Sequence, residues 1–403
     1  LEAVRNIRDH AFSNLTDGSY GLTASGSQWA FWGSQDVTDM FTRQVAVSSV
    51  GADRKDVTAS VTWQQNAQRS GLVSLVTRLT NWHTISVGNW SNATSTNRLN
   101  LAGNQDGLKI QVQGDYAYVV RNDGSPDFAV IDISNAASLT LVGSLTLSGT
   151  PQNVFVSGNY AYVASTNDSQ ELQIVDISTP SSPSVVGTYN DAGAQDARGI
   201  FVVGSYAYLT LNGGNDLVVV NVSTPSAPSF VGGVSLSGNA YEVVVLGNYA
   251  YVSSDRGSQE LQVVDISVPA APSFIASLDL PGSDDALSIA GAGGVVVLGR
   301  IGGNVRTVSV AVPSAPVLLG TFNAQGTVND LSLGNGNTYV FVASDAPSAE
   351  FQVVNITTPS SPTLVGSLNL SNPLNGVVYH SGKDKVFAVG GANSAEVIVI
   401  APQ

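Results

Sequence analysis

Residues 114–120, GDYAYVV, decide the fold of this chain, because the same phrase returns three more times along the sequence. It recurs as GNYAYVA at 158–164, GSYAYLT at 204–210 and GNYAYVS at 247–253. Self-similarity at a period of about 44 residues is typical of proteins built from repeated supersecondary units. The repeat therefore sets the architecture of most of the chain.

Two further phrases follow each copy of the first. One is apolar and ends in Asp or Asn, as in LQIVDIS at 172–178, and the other has the form Pro-x-x-Pro, as in Pro180 and Pro183. A short apolar strand comes next. The Gly-Asn turn predicts a hairpin, and proline breaks strand pairing, so each unit reads as four antiparallel strands. Four strands in 40–50 residues is the blade of a β-propeller.

The two ends of the repeat region predict a closed ring. Seven motif copies occur, and the seventh stops after three strands at Gln403. The missing fourth strand has its match before the first copy, where RLNLAG at 98–103 resembles SLTLSG at 144–149. We therefore expect Arg98, Leu99, Asn100 and Leu101 to pair with the last blade and leave no open sheet edge. This predicts a seven-bladed β-propeller over residues 98–403.

The repeats resemble the LVIVD-repeat family of β-propellers. The signature L-x-I-V-D-I-S-x-P is clearest at Leu172–Pro180 and Leu261–Pro269. The resemblance implies a propeller scaffold of the kind found mostly in surface and secreted proteins. It does not imply a particular function, because one fold hosts many.

Residues 1–82 carry no repeat and are expected to form a separate α+β domain. Leu1, Val4, Ile7 and Ala11 have helical spacing, and four strand-like segments follow at 21–33, 41–50, 55–65 and 70–82. A helix packed on a four-stranded antiparallel sheet is α+β. Residues 83–97, rich in Ser, Thr and Asn, are predicted to be a linker.

This domain resembles the globular head of bacterial type IV pilin-like proteins. The resembling phrases are LEAVRNIRDHAFSNLTDGSYGL (1–22), DVTDMFTRQVAVSSV (36–50) and VTASVTWQQNAQRSGLVSLVTRLTNW (57–82). The resemblance implies self-association into a filament through an N-terminal helix that continues upstream of Leu1. The long apolar helix typical of that family is not in this sequence.

Composition narrows the functional classes. The formal net charge is −14 with 16 Lys and Arg residues, which disfavours a nucleic-acid partner because phosphate binding needs a basic face. With zero cysteines, thiol nucleophiles and zinc-thiolate sites are excluded. The low charged fraction, 11%, and the wealth of Ser, Thr, Asn and Gly favour an extracellular or cell-surface location.

No catalytic, cofactor-binding or metal-binding constellation emerges. The three histidines, His10, His83 and His380, lack metal-ligand spacing. The acid or amide that ends the second phrase has two interpretations: a ring of ligands, or an architectural side chain that caps the turn before Pro-x-x-Pro. We favour the cap, because Asn substitutes freely for Asp, at Asp132, Asp176, Asn221, Asp265 and Asn355.

Three other features leave alternatives open. The Tyr-Ala-Tyr pairs, such as Tyr116 and Tyr118, favour packing between blades, and sugar stacking is the alternative. The loops at 121–127 and 212–216 are acidic enough for a weak calcium site, although turn chemistry explains them equally well. Sequons that permit glycosylation lie at Asn14, Asn89, Asn92, Asn167, Asn221, Asn355 and Asn369.

The sequence thus predicts a non-enzymatic, extracellular surface or filament subunit, pilus-like, that displays its propeller for adhesion or as an outer coat. No cofactor is expected, and the expected partners are copies of itself and a surface glycan or protein ligand. The alternatives are a secreted propeller that binds a glycan or calcium and, least favoured, a propeller hydrolase or lyase.

Overall fold

The computed structural model describes residues 17–25, 28–39, 41–51, 54–66, 69–80, 88–103, 105–122, 124–191, 193, 195–213, 216–391 and 396–403. Within these residues the chain forms eight antiparallel β-sheets and one 3-10 helix, Trp90–Asn92. The chain divides into two compact units, residues 1–87 and residues 88–403. No helix in the described part is long and apolar enough to cross a membrane.

The first unit holds one six-stranded sheet, in which β3 pairs with β4 and the other strands have the order β2-β1-β4-β5-β6. Its strands are β1 (Gly18–Ser25), β2 (Gln28–Trp32), β3 (Asp36–Thr38), β4 (Phe41–Gly51), β5 (Arg54–Asn66) and β6 (Arg69–Thr80). Alternation of apolar and polar residues puts Val45, Val47 and Val57 on one face, where they are buried. Tyr20 and Phe31 stack beside them with ring centroids 4.4 Å apart.

The predicted fold class is wrong at this unit. The described residues contain strands and no α-helix, so the predicted α+β head is contradicted, and the chain is mainly β and propeller-like. The described residues form eight sheets, of which seven have four strands and the one in this unit has six. Because apolar and polar residues alternate, β4, β5 and β6 pair over their full lengths. The strand predicted at 21–33 is divided into two strands, β1 and β2, which form a hairpin. The helix predicted at residues 1–11 lies outside the described residues, and the type IV pilin-like head finds no structural support.

The second unit, which we call the propeller unit, consists of seven four-stranded sheets. The first three sheets contain β8 (Gly107–Gln113), β9 (Tyr116–Arg121), β10 (Phe128–Asp132) and β11 (Thr140–Leu145); β12 (Pro151–Ser157), β13 (Tyr160–Ser165), β14 (Leu172–Asp176) and β15 (Ser184–Tyr189); and β16 (Ala197–Val203), β17 (Tyr206–Leu211), β18 (Leu217–Asn221) and β19 (Ser229–Val234).

The next three sheets contain β20 (Ala240–Leu246), β21 (Tyr249–Ser254), β22 (Leu261–Asp265) and β23 (Ser273–Leu278); β24 (Ala286–Ala292), β25 (Val295–Arg300), β26 (Asn304–Ser309) and β27 (Val317–Asn323); and β28 (Val328–Gly334), β29 (Tyr339–Ser344), β30 (Phe351–Asn355) and β31 (Thr363–Leu368). The seventh contains β32 (Leu374–His380), β33 (Lys385–Gly390), β34 (Val397–Ala401) and, from the start of the unit, β7 (Thr94–Leu99).

The hairpin between the first two strands of a sheet depends on glycine. Gly114, Gly158, Gly204 and Gly247 have φ between 57° and 62°, a left-handed conformation that costs glycine little. The second and third strands lie in the middle of each sheet and are almost wholly buried. Their apolar side chains pack against the neighbouring sheet; Tyr118 and Val130, for example, share a cluster with Val154. The core therefore lies between the sheets.

The ring closes through β7 and β34. The first strands of successive sheets lie side by side, and β32 of the seventh sheet lies beside β8 of the first. Leu99 pairs with Val397, and Thr94 with Ala401. The closing strand is Thr94–Leu99 instead of the predicted 98–103, so Arg98 and Leu99 belong to it while Asn100 and Leu101 follow it. The matched phrase at 144–149 likewise begins inside β11 and continues past its end.

The linker predicted at 83–97 is wrong from residue 88 onward. Gly88 opens the propeller unit, and the side chain of Trp90 is only 1% exposed. The Trp90 indole packs edge-on against Phe341, with centroids 4.6 Å apart, and its Nε1 donates to Asp384 Oδ1 at 3.2 Å. A single tryptophan in a polar stretch carries no periodicity, so the sequence pattern could not reveal this anchor.

Candidate functional site

The first strands of the seven sheets line one cavity of about 290 Å³ at the centre of the ring. The third residue of each strand forms a layer across this channel. Four of these residues are polar and line the cavity: Lys109, Asn153, Glu242 and Asp330. They come from the first, second, fourth and sixth sheets, so residues far apart in sequence meet here.

Lys109 joins three sheets across the channel. Its Nζ donates to Asp330 Oδ1 at 2.8 Å and to the carbonyl oxygen of Asn329 at 3.3 Å, and it forms an ion pair with Glu242. Burial alone would lower the pKa of Lys109, but the two carboxylates, Asp330 first, raise it above its ordinary value. The ammonium group therefore stays charged and is fully engaged.

The two carboxylates are held from behind by backbone donors. Glu242 Oε2 accepts from the N–H of Ile289 at 3.1 Å, and Asp330 Oδ2 accepts from the N–H of Val377 at 2.8 Å. Each donor belongs to the next sheet around the ring. The layer is thus a closed network of one cation and two anions, which ties the first, fourth, fifth, sixth and seventh sheets together.

A mainly apolar layer lies two residues further along the same strands. Phe155 and Phe201 pack with ring centroids 4.8 Å apart, and Val244, Ala290 and Val378 line the cavity with them. Gln111 and Ser332 are the polar members of this layer, so the cavity is charged at one level and mainly apolar at the next. Sequence analysis missed both layers, although a comparison of the third and fifth positions of the seven first strands would have shown them.

A buried acid precedes the third strand in six sheets, and sequence analysis missed this pattern too. In each sheet the carboxylate accepts a hydrogen bond from the backbone N–H of the second residue after the end of the fourth strand, at 2.6–2.9 Å. The acids and donors are Asp127 with Leu147, Glu171 with Asp191, Asp216 with Leu236, Glu260 with Leu280, Glu350 with Leu370 and Glu396 with Leu101.

Two of these acids, Asp127 and Asp216, lie in the two loops considered for calcium. Asp127 is 3% exposed and Asp216 is 6% exposed, and both point inward. Burial raises the pKa of each carboxyl, as it does that of Glu171. Among the residues that the structure describes, no group of three or more His, Asp or Glu side chains could hold a metal ion.

Two of the acids also pair with buried arginines. Arg121 Nη2 lies 3.5 Å from Glu396 Oε1, and Arg300 Nη2 lies 3.4 Å from Glu260 Oε1. Both guanidinium groups also donate to backbone carbonyls, Arg121 to those of Ala102 and Pro126. These pairs hold loops at the end of the sheets opposite the Gly-Asn turns.

The residues that end the third strands lie one per sheet and do not come together into a site. Each accepts the backbone N–H two residues further on at 2.8–2.9 Å, in the pattern of an Asx turn, at Asp132, Asp176, Asn221, Asp265 and Asn355. Hydrogen bonds from Ser134, first its hydroxyl and then its N–H, lower the pKa of Asp132. In the fifth sheet Ser309 takes this position, and its hydroxyl accepts from Ala311 at 3.5 Å.

The two tyrosines of each Tyr-Ala-Tyr phrase have different environments. The second is buried between sheets, and Tyr118 is 3% exposed. The first opens the second strand and is only half-buried, at Tyr116, Tyr160, Tyr206 and Tyr249, with Tyr339 at the same position of the sixth sheet. We call the end of the ring where these tyrosines lie the turn face.

Grooves run between neighbouring sheets on the turn face. One groove of about 380 Å³ between the first and second sheets is lined by Tyr116, Asp132, Ser134, Asn159 and Ser178. Another, between the fifth and sixth sheets, has a volume of about 260 Å³ and is lined by Asn337, Thr338 and Thr357. Of these two grooves, the first has an aromatic ring, Tyr116, beside hydroxyl and amide groups, a combination that can hold a polar ligand.

His380 lies on the turn face, where its Nε2 is 2.8 Å from the carbonyl oxygen of Gly114. His10 and His83 lie outside the described residues, as does the sequon at Asn14. Five other sequon asparagines accept the N–H of the sequon Ser or Thr at 2.8–3.0 Å: Asn89, Asn167, Asn221, Asn355 and Asn369. Turn capping therefore explains most of the Asn-x-Ser/Thr pattern, and Asn92 lies in the 3-10 helix.

Comparison of the fold with solved structures identifies β-propellers. The chain is similar to the β-propeller domain of Myceliophteria thermophila Cps50 (Swd1), with 13% identity over 77% of this chain and 100% of that one and a TM-score of 0.62. It is similar to U3-55K, with 13% identity over 78% and 100% and a TM-score of 0.61. For the computationally designed Ika8 protein the identity is 12% over 74% and 98%, with a TM-score of 0.53. At these identities the likeness shows the fold alone.

Sequence comparison adds the family. No curated protein matches the chain significantly. The profile of the LVIVD repeat matches residues 106–146, 148–191, 194–235, 237–279 and 325–370, which together make up more than half of the chain. These matches agree with the first four sheets and the sixth, whose third strands carry the repeated phrase. The chain therefore belongs to the LVIVD-repeat family of β-propeller proteins.

Proposed function

We propose that this chain is a non-enzymatic, extracellular surface protein that binds glycans in the grooves of the turn face and so serves adhesion. The observation that carries the proposal is the half-buried Tyr116 at the edge of the groove between the first and second sheets, at a position where the second, third, fourth and sixth sheets also have a half-buried tyrosine. Filament formation through a pilin-like helix is no part of this proposal.

The first groove offers a sugar both an aromatic and a polar surface. At the first groove, the Tyr116 ring lies beside the side chains of Asp132, Ser134 and Asn159. Sugars present apolar C–H faces, which pack on aromatic rings, and hydroxyl groups, which need polar partners at the rim. Repetition around the ring would let several weak sites act on one polymeric ligand, which raises the overall affinity without stronger single sites.

The charged side chains of the channel are engaged with one another. Lys109 pairs with both Glu242 and Asp330, and backbone donors hold both carboxylates. A general acid or base must be able to exchange a proton with a substrate, and these groups are engaged with each other. Their geometry supports a role in holding the ring together.

The extracellular location is supported by composition. Because the chain has no cysteines, it is stabilised by packing and strand pairing alone, and it needs no reducing compartment to protect thiols. Only 11% of its residues are charged. The formal net charge of −14 favours solubility of the chain. Fractionation of the native cells with an antibody to the propeller unit would test the location.

A tyrosine series tests the binding sites. The fifth sheet has Val295 where five other sheets have tyrosine and the seventh has Lys385, so valine is compatible with the fold at this position. We expect Tyr116→Val combined with Tyr160→Val, Tyr206→Val and Tyr249→Val to weaken glycan binding at least about tenfold, which corresponds to about 1.4 kcal/mol. A glycan array followed by titration calorimetry on the best ligand measures this.

The matched control replaces the same four tyrosines with phenylalanine. That variant keeps the rings and should retain most of the binding if stacking is the main contribution. Equal affinity for the wild-type and valine variants would contradict the proposed site. A wild-type chain that binds no glycan on the array would contradict the function itself.

A further inference from the structure

The outer edge of β6 is an exposed apolar strand in the six-stranded sheet. β6 (Arg69–Thr80) is the last strand in the order of that sheet, and among the described residues no strand pairs with its outer edge. Its pairing with β5 runs without a register shift from Ser70 to Thr80. The strand therefore presents a regular row of backbone N–H and C=O groups.

The side chains of this edge are apolar on both faces. Leu72 is 62% exposed, Val73 53%, Leu75 58% and Val76 68%. Val73 and Leu75 share the face of the buried Val57, and Leu72 and Val76 lie on the other face. Residues 70–77 contain no charge and no proline, the usual means by which an edge strand avoids pairing.

We infer that β6 is a homodimer interface, in which two copies of the chain pair antiparallel through this strand around a two-fold axis at Ser74. In an antiparallel pair formed by such an axis, opposite residues lie on the same face, so their numbers add up to an even value. An axis at Ser74 places Val73 opposite Leu75 of the second copy and Leu72 opposite Val76 of the second copy.

This register explains the composition of the edge. All four exposed apolar residues find an apolar partner, two pairs on each face, and the small Ser74 meets itself at the axis. Gly71 falls opposite Thr77, so no charged side chain enters the centre of the interface. Cross-strand pairs of this kind are the unit of sheet stabilisation. A second copy can pair with this edge because residues 71–77 have apolar residues at equal distances on both sides of Ser74.

The chain allows a clean cross-linking test, because it has no cysteine of its own. Ser74→Cys would bring two thiols directly opposite each other, at a Cα separation of about 4.5–5.5 Å that a disulfide can span. The control is Ser70→Cys, also exposed and on the same strand, where the two thiols would lie about 27 Å apart at 3.4 Å per residue. We expect mild oxidation to link most of the first variant and none of the second.

A charge variant tests the interface without oxidation. Ser74→Lys places two ammonium groups face to face at the axis, while in a single chain the side chain only points into water. Light scattering during size-exclusion chromatography should show a wild-type dimer and a monomer for Ser74→Lys, with unchanged thermal unfolding of the propeller unit. A strictly monomeric wild-type chain, or equal cross-linking of the two cysteine variants, would overturn the inference.

Discussion

At the scale of single residues, Lys109 has the most demanding position in the propeller unit. It holds two carboxylates, Glu242 and Asp330, at the centre of the ring, where the three side chains are only 12–15% exposed. Such a network contributes little net stability over an apolar packing of equal volume, but removal of one member is costly. The channel therefore depends on this one cation.

We predict that Lys109→Met destabilises the propeller unit by about 3–5 kcal/mol at pH 7, because it leaves two buried carboxylates facing each other. Burial already raises the pKa of Glu242, and loss of the Lys109 ammonium would raise it further in the folded state. The folded chain then binds protons more tightly than the unfolded chain, so stability should recover as the pH is lowered from 7 toward 5. Urea unfolding at several pH values measures both effects.

The control for this prediction combines Lys109→Met with Glu242→Gln and Asp330→Asn. The amides keep acceptors for the N–H groups of Ile289 and Val377, and the repulsion disappears. Most of the lost stability should return, and its pH dependence should vanish. A single Lys109→Met variant as stable as the wild type would show that the network contributes little.

At the scale of elements, the buried acid before the third strand defines the sheet as much as the hairpin does. Its hydrogen bond joins the start of the third strand to the residues that follow the fourth strand. It therefore fixes where the connection to the next sheet begins. Glu171 is the clearest case, with its carboxylate fully buried and bound to the N–H of Asp191 at 2.9 Å. Burial raises the pKa of Glu171.

We predict that Glu171→Gln and Glu171→Leu differ sharply. Glutamine keeps an acceptor for Asp191 and should change stability at pH 7 by less than about 1 kcal/mol, whereas leucine leaves a buried N–H unpaired and should cost about 1–3 kcal/mol. Because burial raises the pKa of Glu171 on folding, the wild-type chain should gain stability relative to Glu171→Gln as the pH is lowered from 7 toward the ordinary pKa of a glutamate. Thermal unfolding of both chains across this pH range would measure the change in their stability difference. A difference that does not change with pH would contradict the prediction.

At the scale of the whole molecule, the two ends of the propeller unit are held together. The N–H of Asn89 donates to the carbonyl oxygen of Gln403 at 2.7 Å, and β7 completes the sheet of β34. Leu101 repeats the contact with the buried acid, here Glu396, at 2.8 Å. Closure thus uses the same hydrogen bond that the other sheets make internally.

We predict that removal of residues 1–87 leaves a folded propeller unit, whereas removal of residues 1–102 does not. The second truncation exposes the edge of β34 and removes Trp90 from its apolar cluster. We expect a broad unfolding transition and aggregation for the shorter chain, because an open strand edge pairs with other chains. Calorimetry and light scattering compare the two; equal cooperativity would show that closure by β7 is dispensable.

The amino-acid sequence by itself determined the repeat, its four strands, the hairpin glycines and the match between the two ends of the repeat region, because these depend on periodicity and turn chemistry. Only the tertiary structure decided the rest. Lys109, Glu242 and Asp330 are more than 80 residues apart along the chain, and ring geometry alone brings them together. The same holds for Trp90, whose burial depends on the sixth and seventh sheets, and for the N-terminal sheet, where strand pairing replaced the predicted α+β fold.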